Sequence, residues 1–167
     1  VKAPIRTAML IVALAGSLAA CGQANEAIDV NGTSFSQTEV LATTEQLGPE
    51  VQNLTSAQVV QALASAPLLI DLGKQHGIVV TDEAARTAFP NIAEPNRGTL
   101  EISRSLIAGQ HLQSKVPTAQ AELQQMIQSA DIEISPRYGH FDNKTGFGPA
   151  QENWIAPPPA GARDTPQ

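Results

Sequence analysis

The chain has 167 residues, with ten Lys or Arg against sixteen Asp or Glu and a net charge of −6. That balance excludes electrostatic capture of nucleic acid or of an anionic bilayer, and steering favours neutral or basic partners. A single cysteine excludes an intrachain disulfide and any multi-thiolate metal site.

The first element is a leader. Lys2 and Arg6 precede an uncharged run of apolar and small residues from 8 to 20. The run is too short for a comfortable membrane span and has the layout of a secretory signal. It ends in Leu18-Ala19-Ala20-Cys21, which resembles a bacterial lipobox. The resemblance implies cleavage between Ala20 and Cys21, and a diacylglyceryl group, usually with a further acyl chain such as palmitate, on Cys21. Two or more buried chains hold a protein stably on a membrane where one does not. The expectation is an extracytoplasmic protein, lipid-anchored to the bacterial cell membrane. Without Lys2 and Arg6, eight basic residues face sixteen acidic ones. The Asn-x-Thr triplets at Asn31, Asn53 and Asn143 carry no weight in such a protein.

Residues 21–26 read as the lipidated tether. Residues 27–35 read as a β-hairpin, because Asn31-Gly32 suits the two φ > 0 positions of a type I′ turn. Ser36-Gln37-Thr38-Glu39 is a capping box, and Phe35 with Val40 forms a hydrophobic staple. The helix so started stops near Leu47, before Gly48-Pro49. A longer helix over 55–76 carries Val59, Val60, Leu63, Pro67 and Ile70 at helical spacing, widened by Leu69 and Leu72. Pro67 is expected to kink it, and Gly77 to cap it.

Residues 78–80 form an extended link. Thr81 or Asp82 caps a small helix to Phe89, and 90–98 is a loop. A fourth helix over 99–114 turns Ile102, Leu106 and Ile107 inward, although Gly109 weakens it by about 1 kcal/mol. A fifth helix opens at Pro117-Thr118 and carries Ala119, Leu123, Met126, Ile127 and Ala130 on one stripe. Asp131-Ile132-Glu133-Ile134 alternates as a half-buried strand. The Gly- and Pro-rich stretch from Gly146 reads as irregular, and 157–167 as a disordered tail. The expected fold is mainly α, one domain over 27–156, closed by pairing of residues 27–31 with 131–135.

In that order and spacing the chain resembles the chaperone module of SurA-like proteins, shared in part with PrsA-type foldases and trigger factor. The residues that carry the likeness are Ala27-Ile28-Asp29-Val30-Asn31-Gly32 with Phe35-Ser36-Gln37-Thr38-Glu39-Val40. Gly73-Lys74-Gln75-His76-Gly77-Ile78-Val79-Val80-Thr81-Asp82-Glu83-Ala84 is similar to the family's step out of its long helix. Ile132-Glu133-Ile134-Ser135-Pro136-Arg137-Tyr138-Gly139 resembles the ending of actinobacterial lipoprotein members. The likeness covers roughly residues 25–156 and includes no parvulin isomerase domain. It implies a non-catalytic module that holds unfolded or extended polypeptide on an apolar, concave helical surface, with no cofactor.

Candidate contact residues are Arg137, Tyr138 and Phe141, with Trp154, since Arg and aromatics anchor interfaces. Equally, Tyr138 and Phe141 could pin the C-terminal segment to the helices, with Arg137 paired to an acid. Trp154 could dock the tail or occupy a client's groove. His76, His111 and His140 lack metal-ligand spacing, and His76 suits a helix C-terminus. Gly146-Phe147-Gly148 has no strand-to-helix context for a phosphate loop, and no nucleophile elbow occurs, so no enzyme is expected. The alternative function is a structural or adaptor lipoprotein that binds one folded envelope partner. Oligomeric state is not encoded in any pattern found here.

Overall fold

The computed structural model describes residues 25–150, a mixed α/β domain about 53% helical with five helices and two small antiparallel sheets among those residues. The chain begins with β1 (Glu26–Val30) and β2 (Thr33–Ser36), then α1 (Gln37–Leu47), α2 (Ser56–Gln75), α3 (Asp82–Arg86), α4 (Arg97–Lys115) and α5 (Ala119–Ser129). It continues with β3 (Ile132–Ile134), β4 (His140–Asp142) and β5 (Gly146–Gly148). The leader, the tether residues before 25 and the tail beyond 150, with Ala20, Cys21 and Trp154, lie outside the described residues.

The hairpin forms where the turn chemistry places it. Asn31 and Gly32 have φ of 51° and 84°, and the Gly32 N–H donates to Asp29 Oδ1 at 2.8 Å. β1 is the central strand of the order β2-β1-β3, and Ile28 sits opposite Ile134 in the antiparallel β1–β3 register. Asn31 and Asp131 lock that pairing, since each accepts from the other's N–H, through the Asp131 carbonyl (2.8 Å) and Asn31 Oδ1 (2.9 Å). The strands on either side of the five helices therefore meet in one sheet.

Capping defines the helices. Ser36 and Glu39 form the expected box on α1. Thr55 and Gln58 form a second on α2, which the sequence reading passed over. At the far end of α2 the Ile78 N–H donates to the Gly73 carbonyl (2.8 Å) and the Gly77 N–H to the Lys74 carbonyl (3.0 Å), with Gly77 at φ 73°. This is a Schellman stop, which satisfies carbonyls the helix itself leaves open. α2 runs uninterrupted through buried Pro67.

The main core lies between the sheet, α1 and α2. Ile28, Val30, Phe35, Val40, Val59, Val60 and Leu63 are each at most 1% exposed. Burying side chains of this size stabilises the fold by about 1.5–3 kcal/mol each. A polar lattice fastens α4 to α1 beside this core. Asn96 caps α4 by accepting from the Thr99 N–H (2.9 Å) and also accepts from Thr43 Oγ1 (3.0 Å). Gln46 Oε1 accepts from the Asn96 N–H (2.9 Å) and from Thr99 Oγ1 (2.6 Å). Gly98 allows this approach, because a Cβ there would overlap Thr43 Oγ1.

Four expectations are corrected. α3 ends at Arg86, short of Phe89, where a C-cap at Thr87 closes it. α4 begins at Arg97, two residues early, because Asn96 is its cap. Leu106 points outward and is 46% exposed, while Ile102, Ser103, Ser105, Ala108 and Leu112 form the buried face. The segment from Gly146 is not wholly irregular, since Gly146–Gly148 pairs with His140–Asp142 as a hairpin. Asp142 Oδ1 builds its turn by accepting from the Lys144 and Thr145 N–H groups at 2.9 and 2.8 Å.

Candidate functional site

The residues singled out by sequence form a C-terminal clasp. Arg137 Nη1 donates to Gln37 Oε1 at 2.7 Å, an amide at the start of α1 rather than an acid. Tyr138 packs, half-buried, against the main core. Phe141 lies against Phe147 across the β4–β5 hairpin, with ring centroids 5.0 Å apart and planes tilted by 58°. Asn143, at the tip of this hairpin, donates its side-chain amide to the carbonyls of Gln128 (2.9 Å) and Ala130 (3.1 Å). Those are open carbonyls at the C-terminus of α5, so the hairpin caps the helix that precedes it.

A different concavity lies between α2, α4 and α5. It has a volume of about 540 Å³. Leu69 and Leu72 of α2 form one wall, Leu106 and Leu112 of α4 another, and Ala119 and Leu123 of α5 close it. Gly109 lies in its floor, and Gln110, Gln113 and Gln120 supply amides. Among the described residues no charged side chain lines it. Arg137, Tyr138 and Phe141 do not line it either.

α5 is held along its inner stripe, where Leu123, Met126 and Ile127 pack on the main core, and by polar contacts at both ends. Among its residues only Ala119 is fully buried, while Leu123, Met126 and Ile127 are half-buried. Near the N-terminus of α5, Glu122 Oε2 meets His76 Nε2, at the C-cap of α2, at 2.7 Å. Thr118 Oγ1 donates to the other carboxylate oxygen at 2.5 Å. The Thr118 hydroxyl foremost, and then His76, hold the Glu122 carboxyl below its usual range. The far end of α5 is held by Asn143.

Several charged groups elsewhere are paired in structural roles. Arg104 bridges Asp82 and Glu101 at 2.6 Å each, tying α3 to α4. Arg97 stacks 4.2 Å from the centre of the Phe35 ring and pairs with Glu39 at 2.9 Å. Among the described residues no three His, Cys, Asp or Glu side chains gather where they could hold a metal ion.

The apolar groove went unnoticed in the sequence because its lining comes from three helices. Leu106 carried the signal, as an apolar residue one step off the small-residue face of α4. Comparisons with protein-family models, with curated proteins and with solved structures find no match.

Proposed function

We propose that this protein is an extracytoplasmic lipoprotein, anchored through Cys21, whose SurA-like domain holds extended or non-native polypeptide in the groove between α2, α4 and α5. The observation that carries the reading is the groove itself: leucine-walled, uncharged, and rimmed by glutamine amides. Apolar walls reward any apolar side chain, and amides pair with a peptide backbone whatever its sequence. The occupant is an uncharged apolar segment with basic residues beside it. The described residues carry seven Lys or Arg against fourteen Asp or Glu, so the acidic surface attracts the flanks while the groove takes the apolar stretch. The reading involves no catalysis, cofactor or nucleic acid. The strand, helices, strand order, with the flanking strands β1 and β3 joined in one sheet, supports the SurA-like assignment.

A second reading rests on Val79, 73% exposed in the link between α2 and α3. A large apolar side chain exposed on this link suits contact with one folded envelope partner, as an adaptor requires.

The deciding experiment uses the chain from residue 22, without lipid. A slight molar excess should suppress aggregation of two unrelated unfolded proteins and bind labelled extended peptides saturably. Folded protein that does neither overturns the holding role. Crosslinking in the envelope that then yields one partner, lost on Val79→Asp, establishes the adaptor.

A further inference from the structure

Three glycines lie inside the helices α2 and α4, and two are explained by packing. A Cβ on Gly98 would overlap Thr43 Oγ1. A Cβ on Gly73 would lie 3.2 Å from the Ile78 carbonyl oxygen and 3.4 Å from Ala108 Cβ, where α2 and α4 approach each other. Gly109 has neither excuse. The nearest atom to a Cβ there is Leu69 Cδ2 at 4.0 Å, an ordinary distance, and its φ is not positive. A helix interior disfavours glycine because of the backbone entropy it loses, and alanine would fit without strain.

The fold therefore gives no reason for glycine at 109, but the groove does. Gly109 is part of its floor, and Ser105 and Gln113, four residues to either side, continue the same face of α4. With no side chain between them, the backbone of α4 is open to a bound chain along that row. We infer that Gly109 is a specificity-determining residue, whose missing side chain lets an extended polypeptide backbone lie close against α4. There it comes within reach of the amides of Gln110, Gln113 and Gln120, which make no hydrogen bond to other side chains or backbone among the described residues. This rests on the polypeptide-holding reading and names how that site admits its ligand: main chain on the α4 floor, apolar side chains on the leucine walls.

Close backbone approach is one of the recognised uses of glycine. It also makes a prediction that a structural role reverses, since the substitution that helps the helix should harm binding. The probe is a labelled peptide of alternating leucine and serine with a lysine at each end, titrated against the intact protein in lipid nanodiscs. Gly109→Ala should raise the Tm by about 3–5 °C, from improved helix propensity, while weakening peptide binding by about tenfold. Gly109→Leu should fill the floor and abolish saturable binding, with the circular dichroism spectrum unchanged. If Gly109→Leu misfolds, Gly109→Ala decides alone. Wild-type affinity in both folded variants overturns the inference and leaves the polypeptide-holding reading standing. A wild-type protein that binds no peptide overturns both.

Discussion

The sheet end and the α5 end of this domain are built from similar residues to opposite effect. Around β1, α1 and the first half of α2, Phe35, Ile28, Val40 and Leu63 are all but sealed from solvent. Around α5, only Leu72, Leu112 and Ala119 form a buried cluster, with Leu69, Leu123 and Met126 half-exposed beside it. The first region fills its space with apolar side chains and ties the remainder with the Thr43–Asn96–Gln46–Thr99 lattice. The second leaves a groove and holds α5 through half-buried Leu123, Met126 and Ile127 together with polar contacts at either end. Burial is concentrated where the strands that flank the helices join, and the face left open is the one whose apolar surface a ligand can use.

The largest effect expected from breaking this contrast is at Phe35. Phe35→Ala removes a ring that is 1% exposed and should cost about 3–5 kcal/mol. Leu123→Ala, on the half-buried side of α5, should cost about 1 kcal/mol, and chemical denaturation of both variants measures the difference. Equal costs would mean that the α5 end is packed as tightly as the sheet end. Next comes Gly98→Ala, which drives a methyl group into Thr43 Oγ1 and the lattice around it. Overpacking of this kind costs about 1–3 kcal/mol. Asn143→Ala is smaller, about 1 kcal/mol for the lost bonds to α5 carbonyls. Its loss should show as faster amide exchange confined to the last turn of α5, and unchanged exchange there would remove the hairpin from any capping role.

How far these features were legible from sequence follows from their range. Asn31-Gly32 and Ser36-x-x-Glu39 act within four residues, and both stand where their chemistry puts them. Thr55-x-x-Gln58 is equally local, and its box stands directly ahead of the apolar stripe of α2. The β1–β3 pairing follows from two short strands at opposite ends of one helical domain, an argument of economy rather than of spacing. The β4–β5 hairpin was hidden by composition. Gly146-Phe147-Gly148 reads as irregular until Asp142 is seen to organise the turn and Phe141 to meet Phe147. Leu106 shows the limit most plainly. Periodicity marks it apolar, but an inward-facing leucine and a groove-lining one have the same spacing, and only α2 and α5 in place distinguish them. Gly109 likewise reads in sequence as a defect of α4; it becomes informative once the space above it is known.

The finest test of the contrast is acid. Glu39 at the sheet end and Glu122 at the α5 end are both held below the ordinary carboxylate value of 4.5. For Glu39, burial pushes upward, but hydrogen bonds from Ser36 and the Arg97 guanidinium outweigh it. For Glu122, the Thr118 hydroxyl is the main cause, followed by His76. A carboxyl with a lowered folded pKa adds stability that is complete above its unfolded value and is lost as pH falls through the folded one. Both contributions should therefore be constant at neutral pH and disappear on acidification below about 4.5. Their consequences should differ. Around Glu39 the sealed core remains, so exchange in β1 and α1 should stay slow until the domain unfolds as a whole. Around Glu122 the buried cluster that joins α5 to α2 is only Leu72, Leu112 and Ala119, so α5 amides should begin to exchange at a higher pH than those of α1. Glu122→Gln should remove most of the acid-dependent step in α5 and leave that of α1 in place. If α1 and α5 instead open together at one pH in the wild type, the two ends form a single cooperative unit, and the groove is a rigid feature of the fold rather than the edge of a loosely held helix.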